Sequence, residues 1–287
     1  MTAEPTPYGD QLAVVTVTYS PGETLERFLT TLAKATDRPV HVILADNGST
    51  DGAPEAAAAA CDNVELVRTG GNLGYGSGAN RGVAALDDSY GWIVIANPDL
   101  EWSPGSLDEL LAATHRWPRG GAFGPLITEP NGRVYPSARE IPSLGKGIGH
   151  GLLGKIWPAN PWTQSYKQST TNITERVAGW LSGSCLLLRR EAFDSVDGFD
   201  SRYFMYFEDV DLGERLTRTG WQNIYVPTAE VMHIQGVSTA KASTAMLTAH
   251  HDSAYRYIAD RHQGPHWAPV RAAVKAGLAI RLKLHNR

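Results

Sequence analysis

The strongest constraint on the fold is an alternation of short apolar runs and helical periods through the first 117 residues. "LAVVTVT" (12–18) is short, apolar and β-branched, the pattern of a buried strand. In "ETLERFLTTLAKA", Leu25, Phe28, Leu29 and Leu32 fall at i, i+3, i+4 and i+7, the apolar stripe of an amphipathic helix. "VHVILA" (40–45) predicts a second strand, ended by Asp46-Asn47-Gly48-Ser49, and "DGAPEAAAAAC" a helix. "VELVR" (64–68) predicts a third strand, followed by a glycine loop and a helix near "GANRGVAAL". "GWIVIA" (91–96) predicts a fourth strand, ending at "NPDL". "SPGSLDELLAATHRW" predicts a helix with Ser103-Pro104 at the cap and first turn, and a capping box from Ser106 to Glu109. Repeated βαβ units build a mainly parallel sheet, which takes ligands beyond the carboxyl ends of its strands. Asp46, the glycine loop and "NPD" all fall there.

The second half is less regular. Asn131-Gly132 between "FGPLIT" and "GRVYPS" predicts a hairpin. Residues 141–174 contain no acid, three lysines and many glycines, and read as a mobile loop or surface-docking segment. "SCLLLRR" (184–190) predicts a strand, Asp211 onward a helix, and "NIYVP" and "EVMHI" two further short strands. Two helices are expected from Ala240 to the end, the last carrying Arg271, Lys275, Arg281, Lys283 and Arg287 without an acid. Basic and apolar positions interleave in that tail, which admits a membrane-surface role without defining an amphipathic face.

Charge is distributed unevenly. Residues 1–110 hold 16 acids against 5 Lys and Arg, whereas 111–287 hold 14 against 21. A basic second half points either to a phosphate-bearing or membrane-surface partner or to an unevenly solvated surface. The N-terminus "MTAEPTPYGDQ" lacks a basic, apolar leader pattern, and no apolar run reaches the ~18 residues of a membrane span. Cys61 and Cys185 make neither a disulfide framework nor a zinc spacing, so a cytoplasmic location is expected.

Three stretches have residue types suited to chemistry. Gly74-Tyr75-Gly76-Ser77-Gly78-Ala79 fits the dinucleotide fingerprint G-x-G-x-x-A after a strand. It comes late, because that fingerprint normally occupies the first βα turn, here "YSPGE". Asp99 in "IANPDL" is either a turn residue or a hard-cation ligand beside substrate phosphates. In "YFMYFEDVDLGERL", Glu208, Asp209 and Asp211 crowd against an aromatic run that is either core or a sugar-stacking wall. Asp211 and Glu214 have capping-box spacing, so Asp211 is expected to open the helix.

Taken in order, "TYS", "ADNGSTDG", "GGNLGYGSGANRG", "ANPDL", "GWLSGSCLLLRREAF", "GFDSRYFMYFEDVDLGERL" and "VMHIQGVST" resemble family 2 glycosyltransferases, bacterial rhamnosyltransferases above all. The likeness covers about residues 12–240. It implies a GT-A fold: α/β, Rossmann-like, with a mainly parallel central sheet flanked by helices. The domain would span 1–240, with a nucleotide-binding half to about 110, an acceptor half from 111, and a C-terminal helical basic extension at 241–287.

The resemblance implies inverting transfer of L-rhamnose from a dTDP-sugar donor to a polyprenyl-diphosphate-linked GlcNAc, with peripheral membrane contact and no nucleic-acid partner. The nucleotide pocket would use Thr18, Tyr19, Asp46, Asn47, Ser49, Asn72, Gly74, Asn80 and Asn97. Asp99 and His233 would hold Mn²⁺ or Mg²⁺. Asn97 stands where the family's metal motif has its first acid, so one charged ligand is missing. Asp209 matches the catalytic base and Glu208 the acid beside it, with Trp180 on the acceptor side. The rival readings are a nicotinamide-dependent oxidoreductase built on Gly74–Ala79, and a non-catalytic nucleotide-sugar-binding protein.

Overall fold

A computed structural model of the chain describes residues 8–142, 173–234 and 243–285. The docking segment expected at 141–174 lies, from 143 to 172, outside the described residues.

Four parallel strands form the first half of the sheet: β1 (Gln11–Thr18), β2 (Val40–Asp46), β3 (Val64–Arg68) and β4 (Tyr90–Ala96), in spatial order 3-2-1-4. Their crossovers are α1 (Thr24–Ala35), α2 (Ala53–Ala60) and α3 (Tyr75–Val83). β1 shows why the sheet is covered on both sides. Leu12 and Val14 enter one core with Leu25, Phe28 and Leu32 of α1. Ala13, Val15 and Val17 enter the other with Ala79 and Val83 of α3. The period of two thus supplies two cores from one apolar run.

The second half continues the same sheet. After β5 (Leu100–Trp102) come α4 (Ser106–Arg116), β6 (Gly120–Thr128), β7 (Val134–Tyr135), β8 (Ala138–Arg139), β9 (Arg176–Ala178), β10 (Trp180–Leu181) and β11 (Cys185–Arg189). Next are α5 (Arg190–Asp194), α6 (Glu208–Arg218), β12 (Gln222–His233), α7 (Ser243–Arg261) and α8 (Ala268–His285). The ten-stranded sheet of the described residues has eight strands in the order β3-β2-β1-β4-β11-β6-β12-β5, with β7 on β6 and β9 on β12, and β11 enters antiparallel between β4 and β6. β8 and β10 form a separate two-stranded ribbon. The expected hairpin forms at Asn131-Gly132, where β6 pairs β7 and Gly132 takes a φ of +79°.

Four expectations are corrected. "NIYVP" and "EVMHI" are one strand, β12, whose register on β6 jumps between Val226 and Glu230. The strand survives this bulge because β6 pairs it on both sides of the jump. Helix α4 has no capping box: Gly105, left-handed at φ +72°, is its N-cap, and no side chain caps it. Helix α6 begins at Glu208, three residues before the expected Asp211, with Phe207 as a left-handed N-cap. The Asp211 amide already bonds the Phe207 carbonyl at 2.9 Å, so Asp211 is helix interior and its carboxylate takes Arg215 Nε at 2.6 Å.

Candidate active site

The carboxyl ends of β1 and β2 are joined by side chains. Thr18 Oγ1 donates to Asp46 Oδ1 at 3.0 Å, and the Ser49 amide donates to the same oxygen at 3.0 Å. Burial alone would push Asp46 up, but the Ser49, Thr18 and Gly48 donors outweigh it and hold the group below the usual carboxylate range. Asn47 is buried, donates to the Gly74 carbonyl at 2.9 Å and accepts from Thr69 Oγ1 at 2.9 Å. Ser49 Oγ accepts the Ser20 amide at 2.8 Å, and Tyr19 is exposed. These contacts fix the side chains at the ends of β1 and β2 and leave the Tyr19 ring exposed.

The glycine loop is built for close packing. Gly74 has a φ of +83°, and a Cβ there would meet the Phe204 carbonyl oxygen at 2.1 Å. A Cβ on Gly78 would lie 2.9 Å from Val17 Cγ1, and one on Gly82 2.5 Å from Val15 Cγ1. Glycines in a helix cost about 1 kcal/mol each, and here they let α3 lie close on β1. The fingerprint spacing is therefore accounted for by helix–sheet contact. Asn72 Oδ1 accepts the Gly74 amide at 3.1 Å. Asn80 commits both ends of its amide to the Phe199 backbone, at 2.7 and 2.9 Å, and so staples the segment before Glu208 onto α3.

Past β4, Asn97, Asp99 and His233 come together. His233 Nε2 lies 3.0 Å from Asp99 Oδ1 and 3.3 Å from the Asn97 side-chain nitrogen. The pairing of β5 with β12 sets Leu100 opposite His233, which brings the imidazole to the "NPD" turn. Two cis ligands at about 2.1 Å from an octahedral Mg²⁺ lie about 3.0 Å apart, so the Asp99–His233 spacing fits one small cation. Among the described residues no group of three or more His, Cys, Asp or Glu could hold a metal. The described residues thus offer two donors here, and ligand or water oxygens would supply the rest of a cation's shell.

Glu208 and Asp209 open α6. Asp209 Oδ2 accepts the Gly183 amide at 2.9 Å and Oδ1 accepts the Val210 amide at 2.8 Å. Burial pushes Asp209 above the ordinary carboxylate range, and the donors of Gly183 and Val210 with the charge of Arg139 pull it part of the way back. Burial, and then the charge of Asp209, push Glu208 up. Glu208 Oε2 is buried without a hydrogen-bond partner among the described residues, as suits a carboxyl kept protonated. The aromatic run divides: Tyr203 is fully buried, while Phe204 and Tyr206 are exposed.

Sequence reasoning missed the loop that joins these parts. Tyr75 Oη donates to the Gly183 carbonyl at 2.6 Å, while the Gly183 amide donates to Asp209. One residue on, the Ser184 carbonyl accepts the Asn97 amide at 2.9 Å. The "LSGS" stretch therefore spans from Asp209 to the Asp99–His233 pair. A glycine has no chemistry of its own to announce this; the only signal was its place within the resemblance. Trp180 is 9% exposed, packs with Tyr203, Val210 and Tyr257, and donates its Nε1 to the Glu140 carbonyl at 3.0 Å. The indole has little surface left to offer a ligand.

The family profile described as Glycosyl transferase family 2 matches residues 13–197, and one described as Glycosyltransferase like family 2 matches 162–250. The chain is 55% identical to the N-acetylglucosaminyl-diphospho-decaprenol L-rhamnosyltransferase of Mycobacterium tuberculosis, over 97% of this chain and 94% of that one. It is 29% identical to the rhamnosyltransferase WbbL of Escherichia coli, over 67% of this chain and 72% of that one. A mannosyltransferase of Pyrobaculum calidifontis, solved with GDP-Man and Mn²⁺, shares the fold. Its TM-score is 0.59 at 17% identity, over 96% of this chain and 72% of that one. With a family profile over more than half its length and a full-length relative, this chain belongs to glycosyl transferase family 2.

Proposed function

We propose that the chain transfers L-rhamnose from dTDP-rhamnose to a polyprenyl-diphosphate-linked GlcNAc, inverting the anomeric carbon. The observation that supports the sugar and the acceptor is the 55% identity across nearly the whole of a protein named N-acetylglucosaminyl-diphospho-decaprenol L-rhamnosyltransferase; the dTDP donor and the inversion follow from the resemblance. The mechanism rests on the site.

Thr18, Asp46, Asn47 and Ser49 would bind the nucleotide base, where the ionised Asp46 faces a ring donor. Asp99 and His233 would hold a divalent cation, which when bound neutralises charge developing on the leaving diphosphate. Asp209 takes the proton of the acceptor hydroxyl as its oxygen bonds to the sugar and the bond to the donor phosphate breaks. One base is sufficient for such a displacement. Gly183 aims the Asp209 carboxylate, and Glu208, kept neutral, avoids a second negative charge beside the attacking oxygen. No helix among the described residues is long and apolar enough to cross a membrane. The basic helix α8 would supply peripheral contact with an anionic bilayer, since Arg271, Lys275, Arg281 and Lys283 face no acid on the same helix.

The test is transfer of radiolabelled rhamnose from dTDP-rhamnose onto polyprenyl-diphosphate-GlcNAc, with other nucleotide sugars and other lipid-linked sugars alongside. Transfer confined to the named pair supports the reading. Faster transfer from another donor, or onto another acceptor, would replace it.

A further inference from the structure

We propose that Tyr75 is a positioning residue for transfer: its hydroxyl holds Gly183, so that the Gly183 amide keeps the Asp209 carboxylate aimed at the acceptor hydroxyl. This rests on the reading of Asp209 as the base and adds the residue that keeps it in place.

Helix–sheet contact accounts for the glycines of "GYGSGAN" but not for the tyrosine among them. Gly183 and Ser184 are the central residues of a turn in which the Cys185 amide bonds the Ser182 carbonyl at 3.4 Å. A glycine has no side chain to fix it by packing, and its backbone is freer than that of any other residue. Its two backbone groups hold it instead. The amide donates to Asp209 Oδ2 at 2.9 Å, and the carbonyl accepts Tyr75 Oη at 2.6 Å. A Cβ built on Gly183 would lie 3.3 Å from Asp209 Cβ and 3.5 Å from Tyr75 Cε1. The phenol ring and the Asp209 side chain therefore close on the side of the glycine where a side chain would stand. With the hydroxyl removed, Asp209 would be holding Gly183 rather than being held by it.

Tyr75 is itself fixed before its hydroxyl reaches Gly183. It is the first residue of α3, and its amide donates to the Phe204 carbonyl at 3.0 Å. Its ring meets that of Phe199 edge to face, with centroids 6.3 Å apart. Phe199 is bound in turn, through its backbone, to Asn80 of the same helix. Burial above all pushes the phenol well up, so it keeps its proton and remains a donor. Among the described residues, the titratable groups whose charge acts on Tyr75 or Asp209 include Glu208, Cys185, Asp99 and Arg139. Tyr75→Phe alters none of these; it takes away one oxygen and leaves the ring.

The experiment uses the full chain with the donor and acceptor pair that wild type turns over fastest. Tyr75→Phe should lower kcat about 3- to 10-fold, the weight of one neutral hydrogen bond. Both KM values and calorimetric donor binding should not change. The Gly183 amide favours the ionised form of Asp209, so loosening it should move the acid limb of the kcat profile to higher pH. The deficit then widens as pH falls. With Asp209→Asn in both chains, Tyr75→Phe should have no further effect on the residual transfer, because it acts through that carboxylate. A hydroxyl that served packing alone would cost the same in both backgrounds and leave the acid limb in place. Either of those results would overturn the proposal, as would unchanged kcat or a rise in donor KM. If Tyr75→Phe does not fold, Gly183→Ala tests the same joint, its methyl pressing on Asp209 Cβ at 3.3 Å. It too should move the acid limb upward, and an unmoved limb would count against the proposal in the same way. Near-normal turnover by Asp209→Asn would remove the base, and this role with it; a base upheld by that variant beside an indifferent Tyr75 removes Tyr75 alone.

Discussion

At the residue scale, two adjacent carboxyls are made different by what reaches them. Asp209 receives two backbone donors, whereas Glu208 Oε2 receives none among the described residues. Asp209→Asn should lower turnover by about 10²- to 10⁴-fold while calorimetry shows donor binding intact; near-normal turnover would remove Asp209 as the base. Glu208 gives a stability prediction with a definite sign. A carboxyl raised on folding binds more protons in the native state between its unfolded and folded pKa, so stability falls as pH rises through that window. Glu208→Gln removes this loss. Its unfolding free energy from denaturant titration should match wild type at acid pH and exceed it above neutrality by on the order of 1 kcal/mol or more; a constant difference across pH would contradict the assignment. Asp99→Ala should abolish activity and its response to Mn²⁺ together, as a metal titration of initial rates would show. Asp99 and Asp209 stood out in the sequence as carboxylates just past a strand and at the start of a helix, and the resemblance supplied the roles proposed for them. Gly183 did not stand out, since it contributes only backbone groups.

At the element scale, the fold was legible wherever periodicity alone decides. The four parallel strands and α1 stand where apolar spacing put them, with Leu25, Phe28 and Leu32 buried. Errors came where a local motif competed with a contact distant in sequence. Pro227 in the middle of β12 read as a break, yet β6 pairs the strand on both sides of the bulge. Capping-box spacing at Ser106 and at Asp211 lost to left-handed residues one position before each helix. Glu214, expected to reach back, instead accepts Tyr257 Oη at 2.9 Å and Arg261 Nε at 2.6 Å from α7. The junction of α6 with the ribbon tests these priorities. Gly213→Ala would ordinarily stabilise a helix by about 1 kcal/mol. Here its methyl would be 2.8 Å from Trp180 Cβ and 3.0 Å from Trp180 Cα. The clash involves backbone and should win: the variant should melt below wild type and transfer more slowly, and a higher melting midpoint would show the junction to be loose.

At the scale of the whole molecule, the C-terminal helices act on the site through α6 and the segment before it. Ser253 Oγ holds the Met205 carbonyl at 2.8 Å, Asp260 pairs with Arg202 at 2.8 Å, and His250 lies against the rings of Tyr206 and Phe207. The two helices have separable duties. Ending the chain before Ala268 should leave transfer to a detergent-dispersed acceptor largely intact while reducing co-sedimentation with anionic vesicles. Ending it before Ser243 should abolish transfer as well. Sedimentation unchanged by the first truncation would exclude α8 from membrane contact. The uneven charge of the chain foretold a basic end, but its grip on the catalytic segment depends on pairs 43 to 58 residues apart, which no local pattern announces. That grip has a consequence in temperature. Tyr206 and Phe207 hold φ values of +68° and +66°, a conformation that costs bulky residues of order 1–3 kcal/mol each. The contacts that offset this strain come from the peripheral helix α7, whereas the sheet is closed by its own two cores. On heating, α7 should let go first and the two residues relax, so catalysis should fade several degrees below the midpoint at which the sheet melts.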